Sequence, residues 1–252
     1  MRKKKKNSFP VKPALLLGAA AVLLLGSTVG STRAALTIYS ENYTAQVSMS
    51  NIGVALVEND EIVSQQTYGV NASAEGTLLE NMVPEDQKFT PGYPYKEELK
   101  VQNTGDIDTF VRVILTRSWQ KDTNEDSIPD TKDTELSPLL IDLNLLEDSG
   151  WVVAEDEDVD YSDERIVLYY TKALAPEETS AALSDVIRIS PEVAQSVKVG
   201  DDGKYEYVYN GYSFCLEAEV DAVQTHNAAD AIKSAWGVDV TVSDDGSTIT
   251  LQ

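Results

Sequence analysis

The chain reads as all-β (mainly), an antiparallel β-sandwich with a short C-terminal helix and acidic loop insertions. Three observations predict this. Short runs alternate apolar with polar residues or are almost wholly apolar, as in Leu99-Lys100-Val101-Gln102 and Arg165–Thr171, RIVLYYT. Turn-forming residues separate them: Asn103–Asp106, Asp201-Asp202-Gly203, Asn210-Gly211 and Asp244-Asp245-Gly246. One clear helix is predicted, between Asn227 and Gly237.

The first 34 residues read as a signal peptide. Arg2 and Lys3–Lys6 form a basic start, Ala14–Leu25 an apolar middle, and Thr32-Arg33-Ala34 offers small residues three and one before a cut between Ala34 and Ala35. The apolar run is short for a membrane span and is interrupted by Gly18 and Gly26. An uncleaved anchor is the alternative. The expectation is one domain over 35–252, secreted to the extracellular matrix or cell surface, meeting the membrane only during export. Seven of the 20 Lys and Arg lie before the cut and no acid does, so 13 basic residues face 42 acidic ones afterwards, a net −29. Such a surface repels nucleic acid and attracts cations.

After the cut, Leu36 and Ile38 are apolar, β-favouring and free at a new chain end. They either pair within their own sheet or add to the sheet of a neighbouring subunit. Strands are expected at Tyr43–Met49 and Ile52–Val57, then a polar loop or short hairpin over Asp60–Asp86. Pro91–Trp119 reads as two strands folded around Asn103–Asp106. Phe110, Arg112, Ile114 and Thr116 face one way and Val111, Val113 and Leu115 the other, which suits the middle of a sandwich. Acidic loops follow at Lys121–Ser137 and Glu155–Glu164, around strands at Pro138–Leu146 and Trp151–Val153. Two more strands, Leu183–Ile189 and Val193–Val199, are divided by Pro191. Tyr205–Tyr209 and Tyr212–Val220 read as a hairpin around Asn210-Gly211. Asn227 caps the helix, with Asp230 in capping-box position, Ile232 and Trp236 on one face and Gly237 as the stop. A last hairpin pairs Val238–Val242 with Thr248–Leu251.

Asp122–Asp133, DTNEDSIPDTKD, has the ligand order of a calcium loop. Asp122, Asn124, Asp126, Asp130 and Asp133 supply side-chain oxygens, and Ile128 a backbone carbonyl. Ser127 stands where such loops need glycine, and Asp133 replaces the usual bidentate Glu, so a solvated acidic loop is the competing reading. Calcium is the single cofactor the residues suggest. No catalytic residue is assigned. One histidine, His226, just ahead of a helix, and no HExxH segment leave little for zinc or serine-type catalysis. Cys215, the one cysteine, excludes an intrachain disulfide and reads as a buried thiol. The tyrosines fall mostly at strand spacing, as sheet packing requires; a sugar-binding face is the alternative.

The segments GSTRAALTIYSENYTA, PGY, VQNTG, FVRV, KALAPEET and VDAVQTHNAADAIKSAWG together resemble the TasA/camelysin family. These are secreted proteins of Gram-positive bacteria whose precursors are cut by the signal peptidase SipW. The resemblance covers the signal peptide, Pro91–Trp119, Trp151–Thr179 and Gln224–Gly237. It implies a jelly-roll-like sandwich and a structural function as a subunit of extracellular fibres or biofilm matrix. Assembly would follow from strand donation by Leu36 and Ile38, the partners being further copies or a related fibre subunit, and a SipW-type peptidase. A monomeric surface adhesin or carbohydrate-binding module is the alternative. Camelysin's description as a metalloprotease would imply a peptidase, which the residues here do not support.

Overall fold

Two antiparallel sheets face each other across the main core. The computed structural model describes residues 51–68, 72–74, 76–80, 82–84, 87–123, 129–154, 164–200 and 203–252. Ser50–Gln252 forms one compact unit. The first sheet holds Gly53–Glu58 (β1), Glu61–Thr67 (β2), Ala72–Ala74 (β3), Pro94–Asn103 (β4), Ile141–Leu145 (β7) and Ser184–Ile189 (β10), in the order β3-β2-β1-β4-β10-β7. The second holds Thr109–Lys121 (β5), Trp151–Val153 (β8), Arg165–Tyr170 (β9) and Tyr212–Gln224 (β13), in the order β13-β5-β9-β8, with Thr131–Asp133 (β6) pairing with the far end of β5. Outside them lie two ribbons, Val197–Val199 (β11) with Tyr205–Tyr207 (β12), and Val240–Val242 (β14) with Ile249–Leu251 (β15). Among the described residues the fold is the predicted all-β sandwich with one short α-helix, Ala228–Trp236 (α1).

The expected hairpin at Pro91–Trp119 is not a hairpin. β4 and β5 belong to different sheets, and the residues between them cross the sandwich. Leu99 and Val101 on β4 and Val111, Val113 and Leu115 on β5 belong to the same buried core, contributed by opposing sheets. The buried Asn103 fixes the crossing: its side-chain amide donates to the carbonyls of Ile107 and Leu174, both at 2.8 Å, and its Oδ1 accepts from Gly105 N–H at 2.9 Å. The segment after β9 holds both sides, through bridges from Thr179 to Gln102 and from Leu174 to Thr109. Gly105 is required by close approach, since a Cβ there would meet Asn51 O at 2.5 Å and Gly53 N at 2.7 Å.

β5 is buried on both faces, as its sequence predicts. One face enters the main core; Phe110 and Ile114 on the other pack in a second cluster with Tyr169, Ile232 and Trp236, under α1. The helix begins and ends where expected, but Asn227 does not cap it with its side chain. Its backbone is left-handed at φ 54°, a conformation Asn tolerates, and its carbonyl accepts Ala231 N–H at 3.0 Å. Gly237, at φ 79°, closes the helix as predicted.

Three further expectations change. Tyr205–Tyr207 pairs backwards with Val197–Val199 rather than with β13, whose strand partner is β5. Pro138–Leu140 and Pro191–Ala194 form short 3-10 turns ahead of Ile141 and Val197 in place of strand, since proline at the first position cannot donate to a ladder. Part of the loop expected at Lys121–Ser137 is strand, β6.

Candidate functional site

The second sheet is narrower than the first, and its edge strand β13 leaves a channel. β1 lies over β13, while β2 and β3 extend beyond it, so the first sheet overhangs a position where the second, among the described residues, has no strand. The resulting open groove has a volume of about 790 Å³. Val54 and Leu56 of β1 and Val63–Gln66 of β2 roof it, Phe214–Asp221 form one side, and Gly76–Leu79 with Met82 close the other.

Hydrogen-bond parity says which groups of β13 face the opening. Thr225 N–H bonds to Asp108 O, and Arg117 N–H bonds to Glu164 O. With the β5–β13 register, this puts the odd-numbered backbone groups of β13 against β5 and the even-numbered ones on the free edge. The Tyr68 hydroxyl meets the Ala222 backbone there, consistent with that parity. The same even positions, Tyr212, Phe214, Ala218, Val220 and Ala222, turn half-buried side chains into the core, with Leu216 buried between them. An added strand would therefore find backbone donors and acceptors beside it and an apolar bed beneath alternate side chains. Odd positions carry Glu217, Glu219 and Asp221 on the outer face, so two copies of β13 placed edge to edge would repel each other.

The sequence-predicted site residues distribute unevenly. Ala34, Ala35, Leu36 and Ile38, and likewise Asn124, Asp126 and Ile128, lie outside the described residues. Asp122 is half-buried at the end of β5. Asp130 spends one oxygen on Thr123 N–H at 3.1 Å and on the hydroxyls of Thr123 and Thr131 at 2.8 and 2.9 Å, which holds its carboxyl below the ordinary range. Asp133 lies in β6; its Oδ1 accepts Glu135 and Leu136 N–H at 2.8 and 3.0 Å, and its Oδ2 the Tyr212 hydroxyl at 2.9 Å. These donors, the Glu135 amide first, lower its pKa. Both carboxylates are thus engaged in closing the turn. Among the described residues no group of three His, Cys, Asp or Glu side chains converges as a metal site.

His226 borders an open dish of about 450 Å³ with Asp108, Glu178, Asp245 and Ser247. Asp245 there is bound by the hydroxyls of Ser243 and Ser247 and the Ser247 amide, which bring its carboxyl down to about 2. Cys215 is half-buried rather than buried; burial and the neighbouring Glu217 push its thiol up, so it stays protonated. Of the tyrosines, Tyr95, Tyr169 and Tyr170 are core, whereas Tyr93, Tyr205 and Tyr207 stand out from the surface. Among the described residues no helix is long and apolar enough to cross a membrane.

The sequence reading missed the groove. Its signal was present in YSFCLEAEVDAVQ, where aliphatic and aromatic even positions alternate with acids at 217, 219 and 221, the pattern of a half-covered edge strand. Comparison with family models, curated proteins and solved structures finds no match to this chain.

Proposed function

We propose that the protein is a secreted structural subunit that builds extracellular fibres, each copy donating its processed N-terminal strand to the groove of the next. The observation that carries this reading is the edge of β13 that no described strand pairs, under the overhanging first sheet, with apolar side chains at the same alternate positions. The proposed occupant is Leu36-Thr37-Ile38-Tyr39 of a neighbouring copy. It is uncharged, so it avoids the repulsion that Glu217 and Glu219 impose on other acidic segments, and it would place Leu36 and Ile38 inward with Thr37 and Tyr39 outward. Ten residues, Ser40–Met49, lie between that strand and Ser50, and extended they reach roughly 35 Å, enough for a neighbour. The same chain folding back into its own groove is the competing arrangement.

The test is electron microscopy and sedimentation of two proteins, one starting at Ala35 and one at Glu41, each with calcium or acid added to reduce charge repulsion. Filaments from the first alone, lost again in Ala218→Asp, support donation into the groove. Monomers of the first under every condition overturn it. The exposed Tyr205 and Tyr207 beside Val197 and Val199 favour one second reading, a surface adhesin binding a partner or glycan through the β11–β12 ribbon. A glycan array distinguishes that reading.

A further inference from the structure

Glu97 is a carboxylic acid wholly enclosed in the sandwich. It follows the inward parity of β4, between Tyr95 and Leu99, and among the described residues neither of its carboxyl oxygens has a hydrogen-bond donor. Its side chain meets that of Glu58, the last residue of β1. Glu58 in turn accepts the backbone N–H of Leu79 on Oε1 at 2.6 Å. Leu79 is held at φ 65°, a left-handed backbone that leucine adopts only under constraint. Leu79 also belongs to the segment that closes the groove.

The other polar groups around Glu97 do not neutralise it. The Asn59 side chain approaches from the β1–β2 turn, and the Ser184 hydroxyl of β10 donates to the Glu97 backbone carbonyl at 3.4 Å. Lys100, with its partners Glu98 and Asp60, lies on the outward face of the first sheet. Glu80 and Lys88 of the covering segment are exposed. Two carboxyls and one amide are also too few oxygens for calcium, which takes six to eight. A shared proton satisfies what is present: the Glu97 hydroxyl donates to a Glu58 oxygen, and Glu58 keeps the Leu79 amide. Burial, then the contact with Glu58, raise Glu97 to about 9, in keeping with this geometry.

We propose that Glu97 and Glu58 share one proton and that this pair latches Leu78–Glu80 onto the groove, so that loss of the proton frees the groove wall. The latch itself stands on the described geometry; its effect on assembly rests on the fibre reading above. With both carboxyls ionised, two buried charges repel and Glu58 no longer stays under Leu79.

The experiment is amide hydrogen exchange at Leu79 in the chain starting at Ala35, corrected for intrinsic exchange, from pH 6 to pH 10. In the unsubstituted protein, protection is expected to hold to about pH 8 and fall at least tenfold by pH 10, as a buried acid titrates. In Glu97→Gln the amide donates to Glu58 without titrating, and protection stays level. Equal falls in both proteins, or no fall in the first, overturn the proposal. Should Glu97→Gln not fold, Glu58→Leu serves, since it leaves no acceptor for the Leu79 amide: Leu79 protection reduced at neutral pH supports the latch, and unchanged protection refutes it. Millimolar calcium that raises protection in the unsubstituted protein but not in Glu97→Gln would replace the proton with a metal and overturn it. Absence of fibres alongside the expected exchange profile leaves the latch standing and removes the fibre reading.

Discussion

Replacing Glu97 with Gln should make the protein more stable, and more so as pH rises. The carboxyl is ordinary in the unfolded chain, near 4.5, and raised to about 9 in the fold, by burial first and Glu58 second. The folded state therefore binds a proton that the unfolded state releases. Stability is full below about pH 4.5 and falls as pH rises towards 9, by about 1.4 kcal/mol per pH unit for one proton. At pH 7 the accumulated loss is about 3 kcal/mol, which Glu97→Gln removes by presenting a neutral, similarly shaped side chain that can donate to Glu58. For a chain of this size that corresponds to a thermal midpoint higher by roughly 6–12 °C. The assay is urea unfolding of both proteins at several pH values between 5 and 8, followed by tryptophan fluorescence. The expected difference between them widens with pH. Parallel pH profiles, or a Glu97→Gln protein less stable at pH 7, would refute the assignment of a protonated buried acid.

The remaining predictions concern the supports of the fold. Asn103→Ala removes three side-chain hydrogen bonds at the sheet crossing and takes this partner from the Ile107 carbonyl and the Gly105 N–H, while the Leu174 carbonyl keeps Thr109 N–H, so a loss of about 2–4 kcal/mol is expected by denaturant titration. Ile232→Ala empties a fully buried site beneath α1 and should cost about 3 kcal/mol, with a changed near-ultraviolet circular dichroism signal from Trp236. Asp245 should titrate near pH 2, and the Ser247 amide resonance should follow it; Asp245→Ala abolishes that titration. Asp133→Ala should loosen the β6 turn, seen as faster exchange of the Glu135 and Leu136 amides.

Strands were readable wherever one residue in two had to be apolar. β5 announced its double burial because Phe110 and Ile114 matched Val111 and Val113 in hydrophobicity. The helix was fixed by Ile232, Trp236 and Gly237. Pairing partners were harder to read, since turn chemistry at Asn103–Asp106 is compatible with a hairpin and with a crossing. What separates them is Asn103 reaching Leu174, a contact between residues 71 positions apart that no local window contains. The Asn210-Gly211 turn misled because Tyr205–Tyr207 pairs back with Val197–Val199 rather than across that turn. The groove stayed hidden because it is a difference in width between two sheets, a property of strand order. Glu97 breaks the apolar alternation of Tyr95, Leu99 and Val101, so a local reading ends the apolar face at Leu99, whereas the structure carries Glu97 inward with them.

β13 also sets a schedule. It joins β5 across a separation of 109 residues at the Arg112–Asp221 pair, so the second sheet gains this strand only when the chain has been made past Gln224. A ribosome or an export channel delivers the N-terminus first and this strand after every other strand of the two sheets. On the fibre reading, the donor segment exists early, but the surface that receives it comes into being only once β13 has joined β5. Chains made short of Gln224 can then give a strand and cannot accept one.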